Sequence, residues 1–336
     1  MDKYLASPAT AQRPSPAAPG ADQTLDAFVV QWRRLYALPN LTPKTMQSYN
    51  YLWGRYIQGG LGSAQLDALT PLALEQWKAD QLAAGVGAES VKRCLIMLQG
   101  VLQRAVEWQY LSANPARHVR KPPSRRKRAV RPLPPEKIEE MRAWMMLSKQ
   151  PHDVLLLCLL GYCGLRPGEA LALHWESVGA RRLLVDSCVS LGELKETKTG
   201  RVRTVPLLEP VIEDISRCRA TLPQQAANGL IFATATGRPW SETMWRNWRR
   251  RVFGPCANAV GLAGVRPYDL RHSFVSLLIS EGRSILEVAC QAGHSPTMTL
   301  NVYGHVFDEF DPTDRTPAAQ RILDARATVR GRASSA

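Results

Sequence analysis

The chain has 336 residues, 45% of them hydrophobic and 21% charged, which at ~150 residues per domain suits two globular domains and excludes a fibrous or wholly disordered protein. Lysine and arginine number 43 against 29 acidic residues, a formal net charge of +14; such a surplus points to a polyanionic partner, most often nucleic acid. Apolar runs such as residues 154–160 fall far short of the ~18–20 needed to span a bilayer, residues 1–22 carry no secretory pattern, and seven irregularly spaced cysteines read as reduced thiols, without a disulfide framework or zinc site.

Residues 1–23 are rich in Ala, Pro and Ser and read as a disordered tail. Residues 24–115 read as a four-helix module. Thr24 caps the first helix, with Leu25, Phe28, Val29, Trp32 and Leu35 at three- and four-residue spacing. Thr42-Pro43 opens the second, which Gly59-Gly60 is expected to stop, and Thr70-Pro71 opens the third. The fourth and longest runs from about Glu89 to Tyr110, with Val91, Cys94, Leu95, Leu98, Val101, Leu102 and Ala105 on one face. Residues 116–133 follow as a proline-bearing linker holding Arg117, Arg120, Lys121, Arg125, Arg126, Lys127, Arg128 and Arg131 without a single acid, a run that reads either as a solvated linker or as a contact for nucleic-acid phosphates. A mixed domain spans 134–310. Residues 182–191 and 201–207 read as strands of a hairpin turning at Thr199-Gly200. The fold class is therefore mainly α with a small antiparallel β-sheet. Residues 311–336 form a C-terminal tail in which Ala318, Ile322, Ala325 and Val329 make a narrow helical stripe.

Four stretches of the second domain carry chemistry when weighed together. Gly164-Leu165-Arg166-Pro167-Gly168-Glu169 sets an arginine at a helix start, where backbone amides face anions. Lys195, Lys198, Arg201 and Arg203 surround the hairpin turn. Pro267-Tyr268-Asp269-Leu270-Arg271-His272-Ser273-Phe274 places Tyr268 and Arg271 on one helical face. Gly293-His294-Ser295 precedes Asn301-Val302-Tyr303-Gly304-His305. Taken singly, each is more often a turn, a surface contact or packing. No Asp/Glu cluster with metal-ligand spacing accompanies them, so no metal or cofactor is expected. His118, His152 and His174 belong to no constellation, His272 reads as packing or capping beside Arg271, and His305 is left open.

In this order and spacing the stretches resemble the tyrosine recombinase (phage integrase) family over about residues 24–310. The resemblance implies a helical core-binding domain and a catalytic domain closing on double-stranded DNA as a clamp. It also implies an ATP-independent, site-specific recombinase of a phage or mobile element that cuts through a 3′-phosphotyrosyl intermediate. It gives Arg166 and Arg271 the scissile phosphate, with Glu169 supporting the first. Lys198 becomes the acid for the leaving 5′ oxygen, His294 a phosphate ligand and Tyr303 the nucleophile. The family's pattern has histidine three residues before the second arginine; Tyr268 stands there instead and takes that catalytic place, able to donate a hydrogen bond but with an ordinary pKa near 10. The expected partners are specific core sites on DNA, further copies of the chain in a tetrameric synapse and an accessory directionality factor, and the expected setting is the cytoplasm, at the nucleoid. Ile322 is expected to anchor the tail helix on a neighbouring copy, the alternative being its own catalytic domain. A tyrosine-type topoisomerase and a non-catalytic DNA-binding relative stand as the rival readings.

Overall fold

A computed structural model of the chain describes residues 23–123, 132–196, 202–221, 229–308 and 315–334. Residues 1–22, Arg125, Arg126, Lys127, Arg128, Arg131, Lys198 and the Thr199-Gly200 turn lie outside the described residues. The chain divides into two units, Met1–Lys127 and Arg128–Ala336.

The first unit is helical, and three of its four helices start at a threonine. Helix α1 (residues 25–40) begins where the Thr24 hydroxyl accepts from the Ala27 backbone N–H at 3.3 Å. Helix α2 (residues 43–61) is capped in the same way by Thr42, and α3 (Pro71–Ala83) by Thr70, each followed by proline at the first helical position. Helix α4 (Ala88–Glu107) buries its predicted face, Val91, Cys94, Leu95, Leu98, Val101, Leu102 and Ala105, in the core. Gly59-Gly60 does not stop α2, which runs on to Leu61. A Cβ on Gly60 would sit 3.0 Å from Trp77 Cδ1, so the glycine admits the α3 indole, whose N–H donates to Tyr56 O at 3.3 Å. That packing outweighs the ~1 kcal/mol a glycine costs in a helix. Ala116 and Val119 are also buried in this core, beyond the expected start of the linker, while Arg117, Arg120 and Lys121 are exposed.

The second unit is built around α6 (Pro151–Tyr162), buried continuously from Asp153 to Tyr162. An all-round apolar helix must be central, and α5 (Pro135–Ser148), α8 (Glu209–Ala220) and α10 (Pro267–Ser280) pack on it. The expected single hairpin is two: β1 (Arg182–Val185) pairs antiparallel with β4 (Arg203–Pro206), and β2 (Ser187–Ser190) with β3 (Glu193–Glu196). Asp186 breaks the long predicted strand, and Leu191-Gly192, both at positive φ, supply the missed turn. The remaining helices are α7 (Pro167–Leu171), α9 (residues 242–259), α11 (Ile285–Ala292), α12 (Pro296–Asp308) and α13 (Ala318–Ser334).

Helix α13 corrects the expectation of a neighbour-bound tail, because Ala318 and Ile322 are buried in the core of their own unit. The stripe alone is too narrow to hold it there, and the decisive contact is one turn further on. Arg326, also buried, donates from Nε to Glu139 Oε2 (3.0 Å), from Nη2 to Asp214 Oδ2 (2.7 Å) and from Nη1 to Pro210 O (3.0 Å). Arg142 Nε donates to both Asp214 oxygens at 3.1 and 3.0 Å, and the Tyr162 hydroxyl to Glu139 Oε1 at 2.8 Å. Two buried arginines thus face two buried carboxylates. Burial alone would raise the Asp214 pKa, but Arg142 and Arg326 hold it below the usual range. Removing Arg326 leaves two buried carboxylates facing the one buried arginine Arg142, so Arg326→Ala should destabilise the chain by about 3–5 kcal/mol. Urea unfolding of the full chain checks this, and an unchanged midpoint would show that α13 contributes nothing in place.

Candidate active site

The site assembles where the end of α11, the start of α7 and the inner faces of α10 and α12 meet. Arg166 precedes α7, and its helix turns back at once because Glu169 accepts from the Arg166 backbone N–H (2.8 Å) and from Nη1 (2.7 Å). Arg166 Nη2 donates to Gly293 O at 2.7 Å. Arg271, on the second turn of α10, donates to Gly164 O and to Ala292 O. The two guanidiniums are therefore seated on consecutive carbonyls, Ala292 and Gly293, at the negative end of α11.

Two glycines make this approach feasible. Gly293 ends α11 at φ +64°, and a Cβ there would lie 3.0 Å from Arg203 Nη1. Gly164, at φ +60°, leaves room for the Phe274 ring, which a Cβ would meet at 2.1 Å. Each position combines a left-handed backbone with a close neighbour, and only glycine satisfies both.

Arg203 was not singled out among the hairpin cations, yet its side chain is only 7% exposed. It grips Glu169 with both terminal nitrogens, at 3.0 and 2.7 Å, and Gln291 O with Nε at 3.1 Å. The available signal is register: Arg203 shares the inward face of β4 with Val205. Burial would raise the Glu169 pKa, but the Arg203 bonds and the Arg166 charge bring it down to about 2.

The charge does not balance. Arg166, Arg203 and Arg271 face one carboxylate among the described residues. Arg271 is 0% exposed with no carboxylate partner among them. Burial first, then the Arg166 charge, lowers its pKa to about 10, so it is still a cation at neutral pH. Its Nε and the Nδ1 of His294 are buried without a hydrogen-bond partner among the described residues. Arg271 Nη2 lies 2.8 Å from His294 Nε2; since arginine only donates, Nε2 accepts and Nδ1 carries the imidazole proton. Burial and the neighbouring arginines push His294 down to about 3, which keeps it neutral. Two buried N–H groups beside surplus positive charge are the equipment for an anion.

Tyr303, on α12, is 0% exposed, with its ring stacked beside His294 at 6.2 Å. Burial raises its hydroxyl above the ordinary value, against the pull of Arg271. The residue sequence analysis set aside is His272: its Nδ1 lies 2.6 Å from the Tyr303 oxygen. Tyr268 does not join the set. It sits at the rim, 37% exposed, with its ring edge-on to His272 at 5.5 Å. Arg166, Glu169, Arg271, His294 and Tyr303 are brought together, whereas Lys198 lies outside the described residues and Arg117, Arg120 and Lys121 belong to the first unit.

A mainly helical unit that gathers buried arginines beside a tyrosine is equipped to bind an anion such as a phosphate. Residues 132–309, just over half of the chain, match the model of the phage integrase family. The chain belongs to that family, the tyrosine-type site-specific DNA recombinases that break and rejoin strands. It is similar to the ICEBs1 integrase of Bacillus subtilis, 25% identical over 299 residues, covering 84% of this chain and 78% of that protein. It is similar also to the tyrosine recombinase XerC of Alcanivorax borkumensis, 25% identical, covering 84% and 89%. Two solved structures share the fold. One is the Tn1549 transposon integrase in complex with a circular intermediate DNA (TM-score 0.70, 20% identity, 83% of this chain and 95% of that one). The other is a lambda integrase tetramer bound to a Holliday junction (TM-score 0.65, 18% identity, 82% and 78%).

If the buried cations await an anion, inorganic phosphate should stabilise the chain, by about 2.7 kcal/mol at a hundredfold excess over its Kd. Chloride at equal ionic strength should not, and Arg271→Met should remove the phosphate-specific rise in Tm. An equal rise in both proteins would place the anion elsewhere.

Proposed function

We propose that the chain cuts and rejoins double-stranded DNA at specific core sites as the integrase of a phage or other mobile element, working at the nucleoid in the cytoplasm. Tyr303 is the nucleophile, and Arg166, Arg271 and His294 hold the non-bridging oxygens of the scissile phosphate. Glu169 orients Arg166, Lys198 protonates the leaving 5′ oxygen, and Tyr268 borders the site. The observation that carries this reading is the unbalanced charge: a fully buried Arg271 without a carboxylate partner among the described residues, bonded to the His294 that stacks on Tyr303.

The chemistry follows from that charge. A phosphodiester repels nucleophiles, and its transition state concentrates negative charge on the non-bridging oxygens. Guanidiniums fixed in a dry site stabilise that charge without reorganising. Attack by Tyr303 exchanges one phosphate ester for another, so the bond is stored without ATP. The basic residues Arg117, Arg120, Lys121, Arg125, Arg126, Lys127, Arg128 and Arg131 would follow the DNA backbone. Further copies of the chain would complete a tetrameric synapse, with an accessory factor setting direction; the lambda integrase tetramer on a Holliday junction supports the first of these.

Tyr303→Phe should bind a nicked suicide duplex normally and form no covalent adduct, whereas Arg166→Ala should lose roughly 10²–10³ in cleavage with little loss of binding. A trapped adduct in Tyr303→Phe removes that residue from the chemistry. For Lys198→Ala, a 5′-phosphorothiolate substrate should restore cleavage, because a thiolate leaves without an acid. Failure to rescue would mean that another group is the proton donor.

A further inference from the structure

Attack by Tyr303 requires its oxygen to shed a proton as it bonds to phosphorus, and burial makes that proton harder to lose than in water. Among the described residues, three side chains near the hydroxyl are candidates to take that proton. His294 has its Nε2 committed to Arg271 and is held far too acidic to accept a proton at neutral pH. Tyr268 is a phenol at the rim, 37% exposed, whose ring packs on His272. His272 Nδ1, at 2.6 Å, touches the reacting oxygen itself.

We propose that His272 is a catalytic residue, the base that takes the Tyr303 proton on Nδ1 during strand cleavage. The role rests on the reading of Tyr303 as nucleophile. The bond from the Tyr303 oxygen to phosphorus forms as the bond from phosphorus to the 5′ oxygen breaks, and that oxygen leaves with the electron pair and takes a proton from the acid. On rejoining, the 5′ hydroxyl gives its proton back to the acid as its oxygen attacks phosphorus, the phenolate leaves, and His272 returns the proton to it.

The fold builds this contact from two helices. His272 follows Arg271 on α10, so the residue that carries the phosphate-binding cation also fixes where the base stands. Tyr268, one turn earlier on α10, lays its ring edge against the imidazole, and Tyr303 approaches from α12 at a ring distance of 5.5 Å. For Nδ1 to accept, the imidazole proton sits on Nε2. The charged and titratable groups facing the ring are Asp269, Arg271, Arg266, Tyr268, Tyr303 and His294. Burial outweighs the pull of Asp269, and Arg271 and Arg266 act with it, so His272 lies below its ordinary value and is neutral at pH 7. The sign follows: cleavage should climb with pH as His272 deprotonates, on an acid limb below ~6.5, and be flat through neutrality.

The test is single-turnover cleavage of a suicide duplex by the full chain across pH, with DNA binding and Tm measured on every variant. His272→Gln should cleave roughly 10²–10⁴-fold more slowly, lose the acid limb, bind DNA as before, and stay slow on a 5′-phosphorothiolate duplex, where only the leaving group has been helped. His272→Ala should regain rate with added imidazole. Wild-type rate in His272→Gln would reduce the contact to packing. Faster cleavage would make it a latch that holds Tyr303 inside, and rescue by the phosphorothiolate would move His272 to the leaving-group side; each of the three overturns the proposal while leaving Tyr303 as nucleophile. An adduct trapped by Tyr303→Phe overturns both.

Discussion

The guanidinium of Arg271 is buried completely and has only backbone carbonyls and a neutral histidine as its described partners. A charge in that position is costly, commonly by several kcal/mol when no counter-ion neutralises it. The protein meets part of the cost with oriented dipoles: Ala292 O at the end of α11, Gly164 O in the turn before α7, and Gly293 O for the adjacent Arg166. Carbonyl dipoles solvate a cation without cancelling it. The remaining charge is available to a phosphate, whose oxygens would also satisfy the buried Nε of Arg271 and Nδ1 of His294.

The same unit shows what it does when charge is structural. Around Glu139, Asp214, Arg142 and Arg326, cations and carboxylates match two for two, and each is hydrogen-bonded into place. That cluster fastens the last helix to α5 and α8. At the candidate site Arg166 and Arg203 share the carboxylate of Glu169, and Arg271 has none among the described residues. The contrast within one unit separates an ion cluster that stabilises the fold from one that the fold supports for the sake of a ligand.

Neighbouring side chains also set different tasks for chemically identical groups. His294 and His272 are both imidazoles in a positive field. His294, bonded to Arg271, is pushed down to about 3 and can only hold a hydrogen-bond geometry. Burial lowers His272 too, but there Asp269 opposes the arginines, and the ring faces the Tyr303 hydroxyl. Arg203 acts at one remove, since its grip on Glu169 keeps that carboxylate ionised and Arg166 in register.

By itself the sequence determined the local structure and the identity of the chemistry. Thr-Pro pairs mark helix starts because the cap and the fixed proline φ act within four residues. The buried face of α4 follows from spacing alone, and Arg166, Glu169, Arg271, His294 and Tyr303 are legible because their flanking residues form short, ordered patterns. Only the tertiary structure decided matters that depend on distant partners. Gly60 stays inside a helix because Trp77 packs against it, the long predicted strand divides at Asp186, and α13 lies on its own unit because Arg326 finds Glu139 and Asp214, more than a hundred positions back in the chain. His272 and Arg203 escaped sequence reading for the same reason. Their roles reside in contacts with Tyr303 and Glu169, 31 and 34 positions away, and pattern spacing reports what a residue's own helix or strand will do, not what another element brings to meet it.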